Sequence, residues 1–258
     1  YFHRPDSHKP GGNGARNFGF EESKGEYVNW FDDDDVMLED FLKIKVESIN
    51  PVVNLIICSG YYADEKLQNS TAIDLEIDTF LFKDYVLWRI HVLTPSILFR
   101  KSFLKNKNLF STEISRGQEA ELFSRLFFQL ETNKYQIINK PLFLYRQHEI
   151  TKTENSKSYV SGYCKSQSII AFANLNRAFS IGDEDIKVYY YKGLVGFFFR
   201  SLTNKDVEVA SFILNKILKK IEKINLINYL EFVILGHTFL IIKRGSYRFE
   251  KRWKSFKI

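Results

Sequence analysis

The spacing of apolar residues divides the chain into two textures. Residues 3–14 are polar and turn-forming: His3, Pro5, Asp6, Ser7, His8, Pro10, Gly11, Gly12 and Gly14 predict a loop. Ala15–Lys24 reads as a short helix closed by Gly25, and the aromatic run Glu26–Phe31 as a strand. Met37–Ser48 has helical spacing at Leu38, Phe41, Leu42 and Ile44, and Val52–Cys58 reads as a buried strand. Residues 60–84 are weakly periodic. Tyr85–Ile90 and Ser96–Phe99 read as short strands on either side of the Thr94-Pro95 turn. Glu119–Glu131 is strongly amphipathic, with a stripe of Ala120, Leu122, Phe123, Leu126, Phe127 and Leu130. Tyr135–Ile138 and Phe143–Tyr145 read as two more short strands. After about residue 160 the pattern is helical throughout, with helices near 163–180, 184–202, 205–223 and 226–243. Leu226–Ile242 is marginal in length for a membrane span and carries Asn228, Glu231 and His237. The expected organisation is an α/β region over 1–150 followed by an all-helical region over 151–258.

Composition narrows the class. With 45% hydrophobic and 16% aromatic residues and only 13 Gly and 5 Pro, disorder and collagen-like repetition are excluded. The two cysteines, Cys58 and Cys164, exclude a disulfide scaffold and a Cys-based zinc site, and read as buried thiols in a reducing compartment. The net charge of +6 conceals an asymmetry. Residues 1–150 hold 18 basic and 22 acidic side chains, whereas residues 151–258 hold 19 basic and 9 acidic ones. The last segment concentrates Lys243, Arg244, Arg248, Lys251, Arg252, Lys254 and Lys257 among Tyr247, Phe249, Trp253 and Phe256. It reads as a membrane-surface element, aromatics in the headgroup layer and cations on anionic lipid. The alternative is a set of packed helices with a solvated tail. The acidic front and the lack of any nucleic-acid motif argue against nucleic acid as a partner.

Four constellations could carry chemistry. Asp32-Asp33-Asp34-Asp35 follows an apolar run; alternate residues at a strand end face one way, so Asp32 and Asp34 can share an ion, and oxygen-only ligands suit Mg²⁺ or Mn²⁺. The same run also reads as a solvated turn with Asp35 capping the next helix. Val36 and Met37 disfavour an EF-hand. Gly11-Gly12-Asn13-Gly14-Ala15-Arg16 leads into a helix, where a phosphate could approach and Arg16 could hold it, or it is an ordinary helix start. Glu119, in Gly117-Gln118-Glu119-Ala120-Glu121, falls in the first turn of a helix, whose dipole favours the ionised carboxylate a general base needs; Glu119 and Glu121 also read as plain first-turn acids. His148, in Tyr145-Arg146-Gln147-His148, could ligate a metal or bind phosphate, or be structural.

The order of these pieces is more specific than any one of them. GGNGARNFGFEESKGEYVNWFDDDDVMLEDFL, then TPSILFRKSFL, RGQEAELFSRLF and PLFLYRQH, resembles the family 2 glycosyltransferases over roughly residues 1–150. The resemblance implies a GT-A fold, a Rossmann-like α/β mixed sheet, here followed by the all-helical C-terminal region. It implies transfer of a sugar from a nucleotide-diphosphate donor to an acceptor hydroxyl with inversion. Asp32 and Asp34 would form the Asp-x-Asp motif, with Asp34 the direct ligand of Mg²⁺ or Mn²⁺ and His148 near the metal or diphosphate. Arg16, Asn17, Asp32 and Asp33 would face the donor. Glu119 would be the base, where Asp is common, and Trp88, Thr94 and Gln118 would lie on the acceptor side. The setting expected is bacterial cell-surface polysaccharide or lipopolysaccharide synthesis, with a glycan or lipid-linked acceptor, in the cytoplasm at the inner face of the membrane. Family members also begin with a strand of the VSIIIPTYN type and further βα units. At about 30 residues per unit, roughly 60–80 residues are expected to be missing, so the chain reads as a fragment with an incomplete nucleotide pocket. The competing class is a non-catalytic remnant that binds sugar or protein.

Overall fold

In the computed structural model, which describes residues 2–147, 158–221 and 226–258, the chain forms two compact units. One comprises Tyr1–Thr112 and Gln118–Lys157, the other Glu113–Gly117 and Ser158–Ile258.

The first unit is α/β, as expected. Its elements are α1 (Gly12–Glu22), β1 (Tyr27–Val28), β2 (Val36–Met37), α2 (Phe41–Glu47), β3 (Leu55–Ala63), β4 (Ser70–Ala72), α3 (Leu81–Val86), β5 (Ile97–Arg100), α4 (Lys101–Leu104), α5 (Gln118–Phe127) and β6 (Tyr135–Arg146). The strands form one mixed sheet in the order β1-β5-β3-β6-β2, with β4 paired to β3; β3 and β6 run parallel and the other pairs antiparallel. β3 is central, and Leu55, Ile56, Ile57 and Cys58 are buried, which is why it reads as an unbroken apolar run. Gly60 sits in it because an added Cβ would lie 2.4 Å from the Phe143 ring.

Several elements differ from expectation. The two short strands at 135–145 are one strand, β6, with an irregularity: Cys58 pairs with Ile138 but Ser59 with Pro141. Pro141 cannot donate to a ladder, and the bulge absorbs it. Tyr85–Ile90 is not a strand. Leu81, Phe82, Tyr85 and Val86 are buried at helical spacing in α3. The buried Asp84 carboxylate accepts from the Thr79 amide and hydroxyl and from Arg89, closing the turns on either side of the helix. The helix expected from Met37 begins at Phe41, because Val36 and Met37 pair with β6 as β2. Asp35 is therefore no N-cap; Asp40 precedes the helix. α2 buries Phe41 and Lys45, while Leu42 is 60% exposed.

The second unit contains α6 (Ser161–Ile181), α7 (Glu184–Thr203), α8 (Val207–Ile221), α9 (Leu226–Ile242) and α10 (Tyr247–Lys254). Asp183 caps α7 by accepting the Ile186 amide, and Asp206 does the same at α8 for Val209. The tail corrects its sequence reading. Trp253 is fully buried, 3.8 Å from the Phe232 ring centroid and stacked on Phe198. Its indole N–H donates to Glu231, and its carbonyl accepts from the Tyr191 hydroxyl. Phe249 packs on Phe239 and Phe256 on Phe232. Trp253 is thus core and not available to a headgroup layer, Phe249 and Phe256 are half-buried, and Tyr247 is exposed. No described helix is long and apolar enough to cross a membrane.

Candidate active site

The glycine run has a packing reason. Gly11 adopts φ 101° before α1, and an added Cβ at Gly14 would lie 1.9 Å from the Lys9 carbonyl oxygen. One turn into α1, Arg16 points to the acidic loop. Its Nη2 lies 2.7 Å from Asp32 Oδ1 and 3.6 Å from Glu119 Oε1, and its guanidinium sits over the Phe110 ring. The Trp30 indole N–H donates to the Arg16 carbonyl and fixes that turn. Asn17 instead exchanges two hydrogen bonds with the Phe110 backbone, so its amide staples α1 to the 110 segment. A donor-binding Asn17 would have to share atoms already paired there.

Glu119 is in the first turn of α5, as the sequence suggested, and accepts a hydrogen bond from Thr94 Oγ1 at 3.2 Å. Thr94 is placed from below. The buried Lys45 ammonium donates to the Pro95 carbonyl and to Asn29 Oδ1, both at 2.7 Å, over the Phe41 ring. Burial pulls Lys45 down to about 8. Sequence reading missed Lys45, since a lysine in a short helix defaults to the solvent side. Glu121, two residues beyond Glu119, is taken by Arg125 in a bidentate i,i+4 pair.

The acidic loop is braced from β6. Arg146 donates Nε to the Asp34 carbonyl, Nη1 to the Glu65 carbonyl and its backbone N–H to Asp35 Oδ1. Asp35 is 9% exposed, and its Oδ2 has no partner among the described residues. Burial, with the charges of Asp34 and Asp32 adding, pushes its carboxyl up to about 7. Tyr145 stands beside this cluster; burial first, then the charges of Asp35, Glu119, Asp32 and Asp34, raises its hydroxyl to about 12. Tyr145 packs edge-on against Tyr62, whose hydroxyl bonds His91 Nδ1 at 2.8 Å, and His91 meets the exposed Trp88 edge-on. Trp88 holds φ 59°, an unusual conformation for a bulky residue. An aromatic wall therefore runs from the acids to Trp88. Tyr62, His91 and Tyr145 carried no individual signal in the sequence.

Among the described residues no three metal-ligating side chains converge. The donor set nonetheless fits Mg²⁺ or Mn²⁺, since such ions commonly take one or two carboxylates and complete their shell with substrate phosphates. The buried Asp35 Oδ2, without a partner among the described residues, and the nearby charges of Asp34 and Asp32 mark a cluster of oxygen donors there. His148 lies outside the described residues.

The titration of Asp35 has a measurable consequence. Its folded value is raised above the unfolded one, so the folded state holds an extra proton between about pH 4 and pH 7, and stability falls across that window. The full cost is about 4 kcal/mol once the carboxyl is ionised, at about 1.4 kcal/mol per unit. In chelator-containing buffer, Asp35→Asn is expected to gain stability relative to wild type as pH rises from about 4 to 7, and to hold that gain above. Urea unfolding at several pH values checks this; a difference independent of pH would show that Asp35 does not titrate there.

Residues 1–106 match the glycosyl transferase family 2 model. The chain is 27% identical over 251 aligned residues to a GalNAc(5)-diNAcBac-PP-undecaprenol beta-1,3-glucosyltransferase of Campylobacter jejuni, covering 84% of this chain and 77% of that protein. Among solved structures, S. aureus TarS 1–349 in complex with UDP-GlcNAc is similar at TM-score 0.46 and 14% identity, covering 92% of this chain and 70% of that one. That likeness is too distant to carry chemistry across. The family model and the curated relative together support a sugar-transferring enzyme. The match over residues 1–106 falls on the stretch whose motif order resembles the family 2 glycosyltransferases.

Proposed function

We propose that this chain transfers a sugar from a nucleotide-diphosphate sugar to a hydroxyl of a lipid-linked glycan, with inversion at the anomeric carbon, at the cytoplasmic face of a bacterial membrane during cell-surface glycan synthesis. The observation that carries this is the convergence of Glu119, Asp32 and Arg16 in one cluster, with Thr94 donating to the same Glu119 oxygen, Oε1, that Arg16 approaches. The relative whose printed name includes a PP-undecaprenol substrate supports the lipid-linked acceptor.

Glu119 takes the proton from the acceptor hydroxyl as that oxygen bonds the anomeric carbon. The bond from that carbon to the diphosphate breaks, and the nucleoside diphosphate leaves with the electron pair. Thr94 and Arg16 hold the Glu119 carboxylate in place. Arg16 also presents positive charge where the diphosphate gains negative charge. Asp34, with Asp32 beside it, would hold Mg²⁺ or Mn²⁺, which supplies further charge compensation to the leaving group. Asp33 and Asp32 face the donor; Gln118, Thr94 and Trp88 face the acceptor, and the exposed Trp88 indole offers a flat apolar face to a sugar ring. A single base and a single displacement give inversion. Proton NMR of the product formed from an α-linked donor is expected to show a β anomeric signal; an α signal would overturn the mechanism.

A further inference from the structure

Helix α9 is apolar on both sides. Phe232, Gly236 and Phe239 are its buried residues. At 100° per residue, the opposite side carries Ile227, Leu230, Ile234 and Ile241 in one row, flanked by Leu226, and these are exposed: Ile227 by 76%, Ile234 by 64% and Ile241 by 79%. A helix in water normally shows charge on that side. The single ionisable acid of α9, Glu231, lies off the row and is taken by Arg252 and Trp253. The two polar side chains within the row are turned back on the helix. His237 Nδ1 lies 2.6 Å from the Val233 carbonyl, and Thr238 Oγ1 donates to the Ile234 carbonyl at 2.8 Å. Both thereby satisfy a donor without water, as an apolar environment requires.

Cations follow this row along the chain. Lys243, Arg244, Arg248 and Lys251 are exposed, as is the Tyr247 ring. Glu250, the acid of that segment, is paired with Lys254. A strip one helix wide and about 25 Å long offers roughly 250 Å², well below the roughly 800 Å² per partner of a stable protein interface. A bilayer needs no matched surface, accepts an uncharged aliphatic row, and rewards the basic fringe when its lipids are anionic.

We propose that the outward face of α9 is a membrane-docking surface that lies in the headgroup boundary of an anionic bilayer, with Lys243, Arg244, Arg248 and Lys251 on the lipid phosphates. The docking element is thus α9 rather than the tail aromatics, of which Trp253 is buried and Phe249 and Phe256 are half-buried. The proposal rests on the lipid-linked acceptor reading for its purpose and on α9 alone for its location.

The test is co-sedimentation of the full chain with phosphatidylcholine vesicles, with and without phosphatidylglycerol. Wild type is expected to bind the anionic vesicles and to be weakened by salt. Ile234→Glu and Ile241→Glu, both at exposed positions and checked for an unchanged melting curve, are each expected to lower binding about tenfold or more. Lys243→Glu with Arg248→Glu is expected to abolish the preference for phosphatidylglycerol. Undiminished binding of the isoleucine variants would overturn the proposal. So would a wild-type dimer in sedimentation equilibrium that the same substitutions dissolve, which would make a second copy the occupant. Nucleotide-sugar turnover measured on the same samples separates the two readings: vesicle binding without turnover refutes the proposed reaction alone, and turnover without vesicle binding refutes this surface alone.

Discussion

Glu119→Gln is expected to lower kcat for sugar transfer by about 10²–10⁴-fold, the usual contribution of a positioned general base. The substitution is nearly isosteric. A glutamine oxygen can still accept the Thr94 hydroxyl, and Arg16 keeps its 2.7 Å contact with Asp32. Fold and donor binding should therefore survive, and the loss should fall on kcat with the donor KM little changed. Glu119→Asp keeps the base but shortens it by one methylene, and should retain more activity than Glu119→Gln. Steady-state kinetics on the three proteins, with matched unfolding curves, checks the claim. Wild-type turnover by Glu119→Gln would remove this residue from the chemistry.

Asp34→Asn is expected to cost about 10²–10³-fold in kcat/KM, in the range of losing one strong electrostatic stabiliser of a leaving group. The loss should shrink as divalent cation is raised, because a weakened ligand set can be partly refilled by mass action. The substitution leaves the Arg146 contacts to the Asp34 carbonyl and the Asp35 carboxylate in place. A variant with unchanged activity and unchanged Mn²⁺ dependence would exclude Asp34 from the metal role. The contrast with Asp35→Asn is informative. That substitution relieves a buried carboxyl and should stabilise the protein at neutral pH.

The elements most legible in the sequence were those with an uninterrupted period. Helix α5 announced itself by its apolar stripe and by Glu119 in its first turn, and the four long C-terminal helices by theirs. What failed was local pattern overridden by a tertiary partner. Val36 and Met37 are strand because β6 pairs with them, and no neighbour in sequence says so. Lys45 is buried because the Pro95 carbonyl and Asn29 await its ammonium. Trp253 sits in a basic, tail-like segment, yet Glu231 and Phe232, about twenty residues earlier, draw it into the core. The candidate site was legible residue by residue, but its connections were not. The Arg16 bridge between Asp32 and Glu119 spans α1, the acidic loop and α5. Motif order can suggest that these residues share a site; only the fold gives the distances.

The central claim is that the α/β unit catalyses sugar transfer through Glu119 and the acidic loop. The measurement that tests it most directly is nucleoside diphosphate release by the purified chain from a panel of nucleotide sugars, with and without a membrane lipid extract as acceptor. The account predicts release from at least one donor that requires the extract, is abolished by chelator and restored by Mn²⁺, and is lost in Glu119→Gln. Release that ignores the extract and the chelator, or that persists in Glu119→Gln, would contradict it.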